Sequence, residues 1–132
     1  MAGERDLDKL LASLKPSLLP GEWVFCSIPG ASYGDHAGLE PLASVLEAEG
    51  LSLVVSRRAA DQAGLAYTSV HRCISLGVHS SLDAVGLTAV VAGRLAAQDI
   101  SANVIAGCFH DHVLVPLEAA DEAMTVLSST TG

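Results

Sequence analysis

The chain carries an internal repeat, and this repeat constrains the fold more than any other feature. Residues 52–64 reappear sixty positions later as residues 112–124, with five identities in thirteen aligned positions. The same offset places residues 43–48 over residues 103–108, and each of these segments leads into a short polar turn. A repeat that spans strand, turn, strand and helix is typical of a duplicated domain.

Length and composition limit how the two copies can fold. The chain has 132 residues, and a unit of about sixty residues buries so little surface that it is only marginally stable alone. The two halves are therefore expected to share a core. Half of the residues are hydrophobic and only 4% are aromatic, so Leu, Val, Ala and Ile are expected to fill a compact α/β or α+β interior.

The charge excludes several classes of partner. Seven basic and fifteen acidic residues give a net charge of −8, whereas nucleic acids and anionic membrane surfaces require clustered Lys and Arg. No apolar run approaches the roughly 18 to 20 residues that span a bilayer. The N-terminal stretch is acidic and amphipathic, without the basic start and apolar centre of a signal peptide, so a cytoplasmic location is expected.

Apolar periodicity and turn signals predict the same order of elements, β-α-β-β-α, in both halves. Strands are expected at 22–28, 42–47, 51–55, 71–79, 102–109 and 113–115, and helices at 6–14, 57–63, 83–98 and 117–127. Residues 42–47 contain good helix formers and would alone suggest a helix. Their repeat partner resembles a strand, so a hairpin is predicted in each half. The first helix of the first half is expected to be reduced to residues around 33–39.

The long helix of the second half has an informative start. Ser80 and Ser81 are natural N-cap residues, and Asp83 favours the first turn of a helix. Gly86 lies in that turn, where backbone N–H groups lack helical partners and can point toward an anion. Both Gly86 and Gly93 lower helix propensity, which suggests close packing or a close backbone approach.

Residues 79–116 resemble the ACT domain. The signature of that family is a strand, an acidic or polar residue, a Gly-hydrophobic pair that opens a helix, and a turn into a hairpin. Asp83, the pair Gly86-Leu87 and residues 100–104 fill these places.

Two departures from the family pattern stand in the turn. Asp99 replaces the usual Gly, and two inserted residues separate Ile100 from Asn103. Over residues 18–132 the chain is similar to small bacterial proteins with two ACT-like repeats, which are related to the ACT repeats of aspartokinases and cytosolic arginine sensors.

The resemblance implies a ferredoxin-like α+β fold with two tandem βαββα units that share a core. Residues 1–17 would form a lead-in helix, residues 18–68 the first ACT-like domain and residues 69–132 the second. It also implies regulatory binding of an amino acid or similar small molecule at an interface between ACT units, without catalysis and without a cofactor. The alternative is a structural or oligomerisation module that binds no ligand. A homodimer is expected in either case, because edge strands of a small sheet pair readily with another copy.

The ligand is expected at the start of the long helix and the strand that follows it. Backbone N–H groups of residues 85–87 would face an anionic group, and backbone groups of residues 103–105 would hold an ammonium. The candidate ligand-binding residues are Asp83, Val85, Gly86, Leu87, Asn103, Val104 and Ile105. Asp83 either adds charge for the cation or only starts the helix. Asn103 either contributes to the site or bonds its own turn.

The first half offers a related but weaker candidate. Tyr33, Gly34 and Asp35 occupy the corresponding loop. These residues either line a second, pseudo-symmetric site or form a plain mobile loop.

The remaining candidates concern metal and nucleophilic chemistry. Imidazole and carboxylate groups are suitable zinc ligands, and they occur here as Asp35, His36, His79, His110, Asp111 and His112. Tight turns favour polar residues in any case, so no metal is expected. Cys26, Cys73 and Cys108 lie in apolar runs, which predicts buried free thiols in the packing. With no assembled nucleophile, acid and base, no enzymatic activity is expected.

Overall fold

The fold comes from a computed structural model, and residues 14–77 and 87–128 are described. The chain divides into two compact units. The insert unit is Gly21–His71, and the flanking unit is Met1–Pro20 together with Arg72–Gly132. Predictions for residues 1–13, 78–86 and 129–132, including most of the lead-in helix, lie outside the described residues.

Apart from β1, the described elements follow the predicted order. The strands are β1 (Pro16–Leu18), β2 (Trp23–Ile28), β3 (Ala43–Glu47), β4 (Gly50–Ser56), β5 (Val70–Leu76), β6 (Asn103–Ala106) and β7 (Asp111–Pro116). The α-helices are α1 (Arg57–Ala63), α2 (Leu87–Ala97) and α3 (Ala120–Ser128), and 3-10 turns cover Ala37–Leu39 and Leu117–Ala119. The reduced first helix of the first half is therefore a single 3-10 turn.

The prediction of a hairpin at residues 42–47 is confirmed. β3 pairs antiparallel with β4, and Glu47 lies opposite Gly50 across a two-residue turn. Pairing with a strongly apolar strand outweighs the helix propensity of Leu, Ala and Glu, which is only a weak preference. β6 and β7 form the equivalent hairpin in the second half.

Gly50 is required by its surroundings at the start of β4. Its φ of +149° lies where L side chains are rare, and an added Cβ would lie 2.5 Å from the Ile28 carbonyl oxygen and 2.8 Å from the Pro29 Cα. The close approach of two backbone segments thus explains this glycine.

In the insert unit the strand order is β3-β4-β2, and the first residues of β5 pair antiparallel with the other edge of β2. Alternate residues of β2 and β4 point toward the helix-bearing face, as the period of two requires. They form a core cluster with α1 that consists of Val24, Cys26, Leu51, Leu53, Val55 and Ala60.

In the flanking unit the strand order is β1-β5-β7-β6. Leu87, Val91 and Leu95 follow one another at intervals of four residues and bury one face of α2, as predicted. They join residues of β5, β7 and α3 in a core of Leu14, Ile74, Leu76, Leu87, Val91, Leu95, Ile100, Val113, Val115, Ala120, Ala123 and Leu127. The close approach predicted at Gly93 of α2 is wrong. Among the described residues, no atom lies within 4 Å of an ideal Cβ at this position.

Each unit takes its fourth strand from beyond its own β-α-β-β-α run. For the insert unit this strand is the start of β5, and for the flanking unit it is β1, which pairs antiparallel with β5 from Pro16 opposite Leu76 to Leu18 opposite Ile74. The ferredoxin-like α+β fold is confirmed. β1 was not predicted from the sequence.

Most of the described buried side chains belong to two hydrophobic clusters, one in each unit. Residues of β2 and β4 are buried with α1, and residues of β5 and β7 are buried with α2 and α3. Within the described ranges, no helix is long and apolar enough to cross a membrane.

Candidate functional site

The predicted ligand site is only partly described by the structure. Asp83, Val85 and Gly86 lie outside the described residues. Leu87 is the first described residue of α2, and its side chain is buried in the core of the flanking unit. A contribution of Leu87 to ligand binding would therefore come from its backbone.

The other predicted site residues form the first part of β6. Asn103 lies opposite Leu114, Val104 opposite Val113, and Ile105 opposite His112. Val104 packs against the same core as Leu87, and the side chains of Asn103 and Ile105 lie on the opposite face because neighbouring residues of a strand alternate. The structure thus brings Leu87 and Val104 into one cluster but directs Asn103 and Ile105 to the other side of the sheet.

The loop of the first half closes on itself. The Ser32 backbone N–H donates to Asp35 Oδ2 at 2.8 Å, and the Asp35 N–H donates to the Ser32 carbonyl at 3.0 Å. Gly34 between them has a φ of +95°, and the Tyr33 side chain is 80% exposed. One oxygen of the Asp35 carboxylate therefore already serves its own turn.

The histidine candidates that the structure describes do not form a metal-binding group with other Cys, Asp or Glu side chains. His110 Nδ1 lies 3.2 Å from the Leu76 carbonyl oxygen, and His36 adopts the left-handed conformation before the 3-10 turn. His79 is outside the described residues. Among residues 14–77 and 87–128, no group of three His, Cys, Asp or Glu side chains could hold a metal ion.

The cysteines are free, but only two of them are buried. Cys26 and Cys73 are inaccessible as predicted, whereas Cys108 is exposed. This correction has a simple cause: β6 ends at Ala106, and the Gly107 N–H donates to the His110 carbonyl at 2.9 Å, so Cys108 lies in the turn. Burial raises the pKa of the Cys73 thiol to about 11 and also raises the pKa of Cys26. Both thiols consequently remain protonated and unreactive near neutral pH.

A polar network around Arg57 was not predicted. Arg57 Nη1 donates to Glu22 Oε1 at 2.9 Å, and Arg57 Nε donates to the Tyr67 hydroxyl at 3.1 Å. The Tyr67 hydroxyl in turn donates to Asp61 Oδ1 at 2.7 Å. The hydrogen bond to Glu22, followed by that to Tyr67, raises the pKa of Arg57 above its ordinary value. The sequence signal was Arg57-Arg58, the only adjacent basic pair, with an acid four residues after Arg57.

The two halves of the chain match models of the same family. One ACT domain model matches residues 2–72, and a second matches residues 68–129. The chain therefore belongs to the ACT domain family. ACT domains are typically regulatory, bind small molecules and generally lack catalytic activity.

Solved structures agree with this assignment. A Vibrio cholerae protein of unknown function, described as a possible transport protein, is 49% identical over 96% of both chains, with a TM-score of 0.85. An Agrobacterium tumefaciens protein is 16% identical over 87% of both chains, with a TM-score of 0.73. The regulatory subunit of aspartate kinase from Thermus flavus is 10% identical over 92% of this chain and 99% of its own, with a TM-score of 0.63. At such low identity the last two show a common fold only. No curated protein matches the chain.

Proposed function

We propose that this protein is a non-catalytic regulatory module that binds a free amino acid. The observation that carries the proposal is the pair of ACT domain matches, which together span nearly the whole chain. The domain limits of 18–68 and 69–132 remain part of the proposal. Regulation would act through a partner protein or through assembly of the chain itself.

The proposed site lies in the flanking unit, at the start of the long helix and at β6. The burial of Leu87 anchors the described start of α2 in the core. Backbone N–H groups at the beginning of such a helix suit a carboxylate. β6 ends the strand order of its unit, and within the described residues its only strand partner is β7. Backbone groups of residues 103–105 are therefore suitable for holding an ammonium, and an ACT unit of a second copy could close the site.

A thermal denaturation panel tests this function. The twenty amino acids are added one at a time, and one or a few should raise the melting temperature, because a ligand that binds only the native state stabilises it. At 100 times the dissociation constant the gain is about 2.7 kcal/mol. A panel without any shift would contradict amino acid binding.

The location of the site is tested by Gly86→Val with Gly93→Val as the matched control. Gly86→Val should abolish the ligand-induced shift, because backbone N–H groups near this position are proposed to face the carboxylate. Gly93 belongs to α2 and has open space around an ideal Cβ, so Gly93→Val should retain the shift. A ligand-induced shift that is retained in Gly86→Val would remove the helix start from the site.

The second candidate function is an oligomerisation module without a ligand. β3 ends the strand order of the insert unit, and its Val45 and Leu46 side chains are 58% and 62% exposed. Exposed apolar edge strands are templates for pairing with another chain. A flat amino acid panel together with a stable dimer in sedimentation experiments would favour this alternative.

A further inference from the structure

The edge of β3 in the insert unit is open to a partner. β3 ends the strand order, and within the described residues its only strand partner is β4. A terminal strand presents a row of unpaired backbone N–H and C=O groups along its outer edge. Proteins commonly protect such edges with Lys or Pro, and Ala43–Glu47 contains neither. The backbone of β3 is therefore available to pair with another extended segment.

The side chains of β3 are apolar and exposed on both faces of the strand. Val45 is 58% exposed and Leu46 is 62% exposed, and neighbouring residues of a strand point to opposite faces. Leu46 lies opposite the buried Leu51, but the insert unit has only the 3-10 turn Ala37–Leu39 between β2 and β3, so no helix covers Leu46 there. The two large apolar side chains of β6, by contrast, are half-buried. An added strand would cover both exposed side chains of β3.

The charge around β3 favours a basic partner. Residues 16–56 contain five acidic residues and no Lys or Arg. Three of these acids, Glu40, Glu47 and Glu49, stand before, within and after β3, and all three are exposed. Among the described residues, none of the three forms an ion pair, and Glu47 accepts a hydrogen bond from the Ser52 hydroxyl. Opposite charges on neighbouring strands stabilise a sheet, so Lys and Arg match this edge.

A second copy of the chain matches this edge less well than a basic partner does. Pairing of two β3 strands would bring two sets of the same carboxylates to one seam, between chains that each carry a net charge of −8. Like charges on neighbouring strands destabilise the pair, and net charge of one sign opposes association. The arginines of the insert unit, Arg57 and Arg58, belong to α1 and not to the β3–β4 hairpin. Self-pairing would therefore supply no cation from the hairpin itself.

We propose that β3 binds an extended segment of a partner protein by strand addition, with apolar side chains against Val45 and Leu46 and with lysines or arginines against the three carboxylates. In this mode of recognition, backbone hydrogen bonds give affinity and side chains give specificity. The inference extends the proposed regulatory function by naming the class of partner through which it would act. Its test uses no amino acid, so a failure of strand addition and a failure of ligand binding are distinguishable.

A probe peptide tests the proposal on the whole chain. The peptide places Val-Ile-Val between two pairs of lysines, and ¹H–¹⁵N spectra and amide hydrogen exchange follow its binding. Saturable binding should shift the resonances of residues 43–47 and slow the exchange of backbone amides in β3, because new backbone hydrogen bonds form there. A lack of binding, or shifts without slower exchange in β3, would overturn strand addition.

Two control peptides separate charge from strand formation. Replacement of the lysines by glutamates should weaken binding about tenfold or more, because favourable cross-strand pairs become repulsive. Replacement of Ile and the following Val by two prolines removes two successive N–H groups, one of which would face β3, and should weaken binding about tenfold or more. Equal affinity of the glutamate peptide would overturn the basic partner. Equal affinity of the proline peptide would overturn strand addition.

Reversal of charge on the protein is the matched test. Glu47→Lys combined with Glu49→Lys should weaken binding of the lysine peptide about tenfold or more and strengthen binding of the glutamate peptide. Glu118→Lys combined with Glu122→Lys changes the net charge equally at exposed positions of the flanking unit, and should bind the lysine peptide nearly as the parent protein does. Equal losses in the two double variants would overturn the assignment to β3.

The apolar contacts are tested by Val45→Ala combined with Leu46→Ala. Both side chains are more than half exposed, so this variant should fold normally. Loss of the apolar contact should weaken binding of the lysine peptide about tenfold. Unchanged affinity would overturn the part of Val45 and Leu46 in the proposal.

Sedimentation of the parent protein without peptide tests the second copy as the occupant of the edge. A monomer, or a dimer whose β3 amides exchange freely, supports the proposal. A dimer in which the β3 amides are already protected from exchange would assign the edge to self-association and overturn the proposal.

Discussion

The insert unit and the flanking unit repeat the same hairpin, yet the helix that follows it begins differently in the two. In the insert unit, Ser56 caps α1 directly with its hydroxyl. In the flanking unit the equivalent residue is Pro116, which offers no side-chain cap, and a 3-10 turn precedes α3. Acidic residues instead occupy the first turns, at Glu118, Asp121 and Glu122. The same backbone requirement is thus met by a hydrogen bond in one copy and by charge in the other.

The units also differ in the helix that precedes the hairpin. The flanking unit has α2 between β5 and β6, whereas the insert unit has only the 3-10 turn Ala37–Leu39 between β2 and β3. Among the described residues, twelve side chains form the buried core of the flanking unit and six form that of the insert unit. The insert unit is therefore expected to be the less stable of the two.

The largest expected loss of stability comes from a large-to-small substitution in either hydrophobic core. Leu95→Ala in the flanking unit and Leu53→Ala in the insert unit should each lower the free energy of unfolding by about 2–5 kcal/mol, because both side chains are fully buried. Hydrogen exchange should accelerate mainly in the unit that carries the substitution. Leu46→Ala, at a position that is 62% exposed, is the control and should cost less than about 0.5 kcal/mol. Uniform acceleration in both units would show that the clusters do not act separately.

The second largest expected loss of stability concerns Gly50, which follows the β3–β4 turn of the insert unit. Gly50→Ala should cost about 2–4 kcal/mol in chemical denaturation, since the new Cβ would meet the backbone of Ile28 and Pro29 at a strained φ. Gly64 also has a positive φ, of +70°, but no described atom lies within 4 Å of an ideal Cβ. Gly64→Ala should accordingly cost only about 1 kcal/mol. Equal costs would mean that φ alone, and not the close approach, requires Gly50.

The free energy of unfolding at alkaline pH should depend on the buried Cys73 thiol of β5. The pKa of Cys73 rises on folding from 9.0 to about 11, so the native state binds this proton more tightly than the unfolded state. The associated stability is present below pH 9.0 and is lost as the pH rises toward about 11, with a magnitude of up to about 3 kcal/mol. Urea denaturation across this range should show a shallower decline in Cys73→Ala than in the parent protein.

The smallest effect tests the difference in capping. Ser56→Ala should lower the free energy of unfolding by about 1 kcal/mol, because the Ala59 N–H loses its acceptor. Ser56→Asp keeps an acceptor and should recover most of this loss. Ser27→Ala, at an exposed position of β2, is the matched control. A negligible cost at Ser56 would mean that α1, like α3, does not depend on a side-chain cap.

The fold was largely predictable because the repeat supplied information that propensity lacks. Residues 43–47 contain good helix formers, and only their alignment with residues 103–107 indicated a strand. β1 could not be predicted in the same way. Its three residues begin with Pro16, and a proline after an apolar helical pattern suggests the end of a helix. Pro16 is nevertheless acceptable as the first residue of a strand.

The sites were less predictable because they depend on contacts between distant positions. Arg57 Nε lies 4.0 Å from Asp61 Oδ2, a contact that the helical spacing of the two residues suggests. The shorter contact of Arg57, to Glu22 at 2.9 Å, joins residues 35 positions apart and is not visible in the sequence. The exposure of Cys108 depended on where β6 ends, and the apolar run through residue 109 gave no sign of that end.

Each unit takes its fourth strand from outside its own β-α-β-β-α run, so the strands of the two units become able to pair at different times during translation. A ribosome makes β1 before the whole insert unit, and β1 must wait for β5 before it can pair. Once the insert unit and the start of β5 have emerged, that unit has all of its strands and can fold as a continuous stretch. The flanking unit contains β1, which is made before the insert unit, and α3, which is made after it. Its β1 therefore stays unpaired until β5 has emerged, and during that time it is accessible to chaperones and to neighbouring nascent chains.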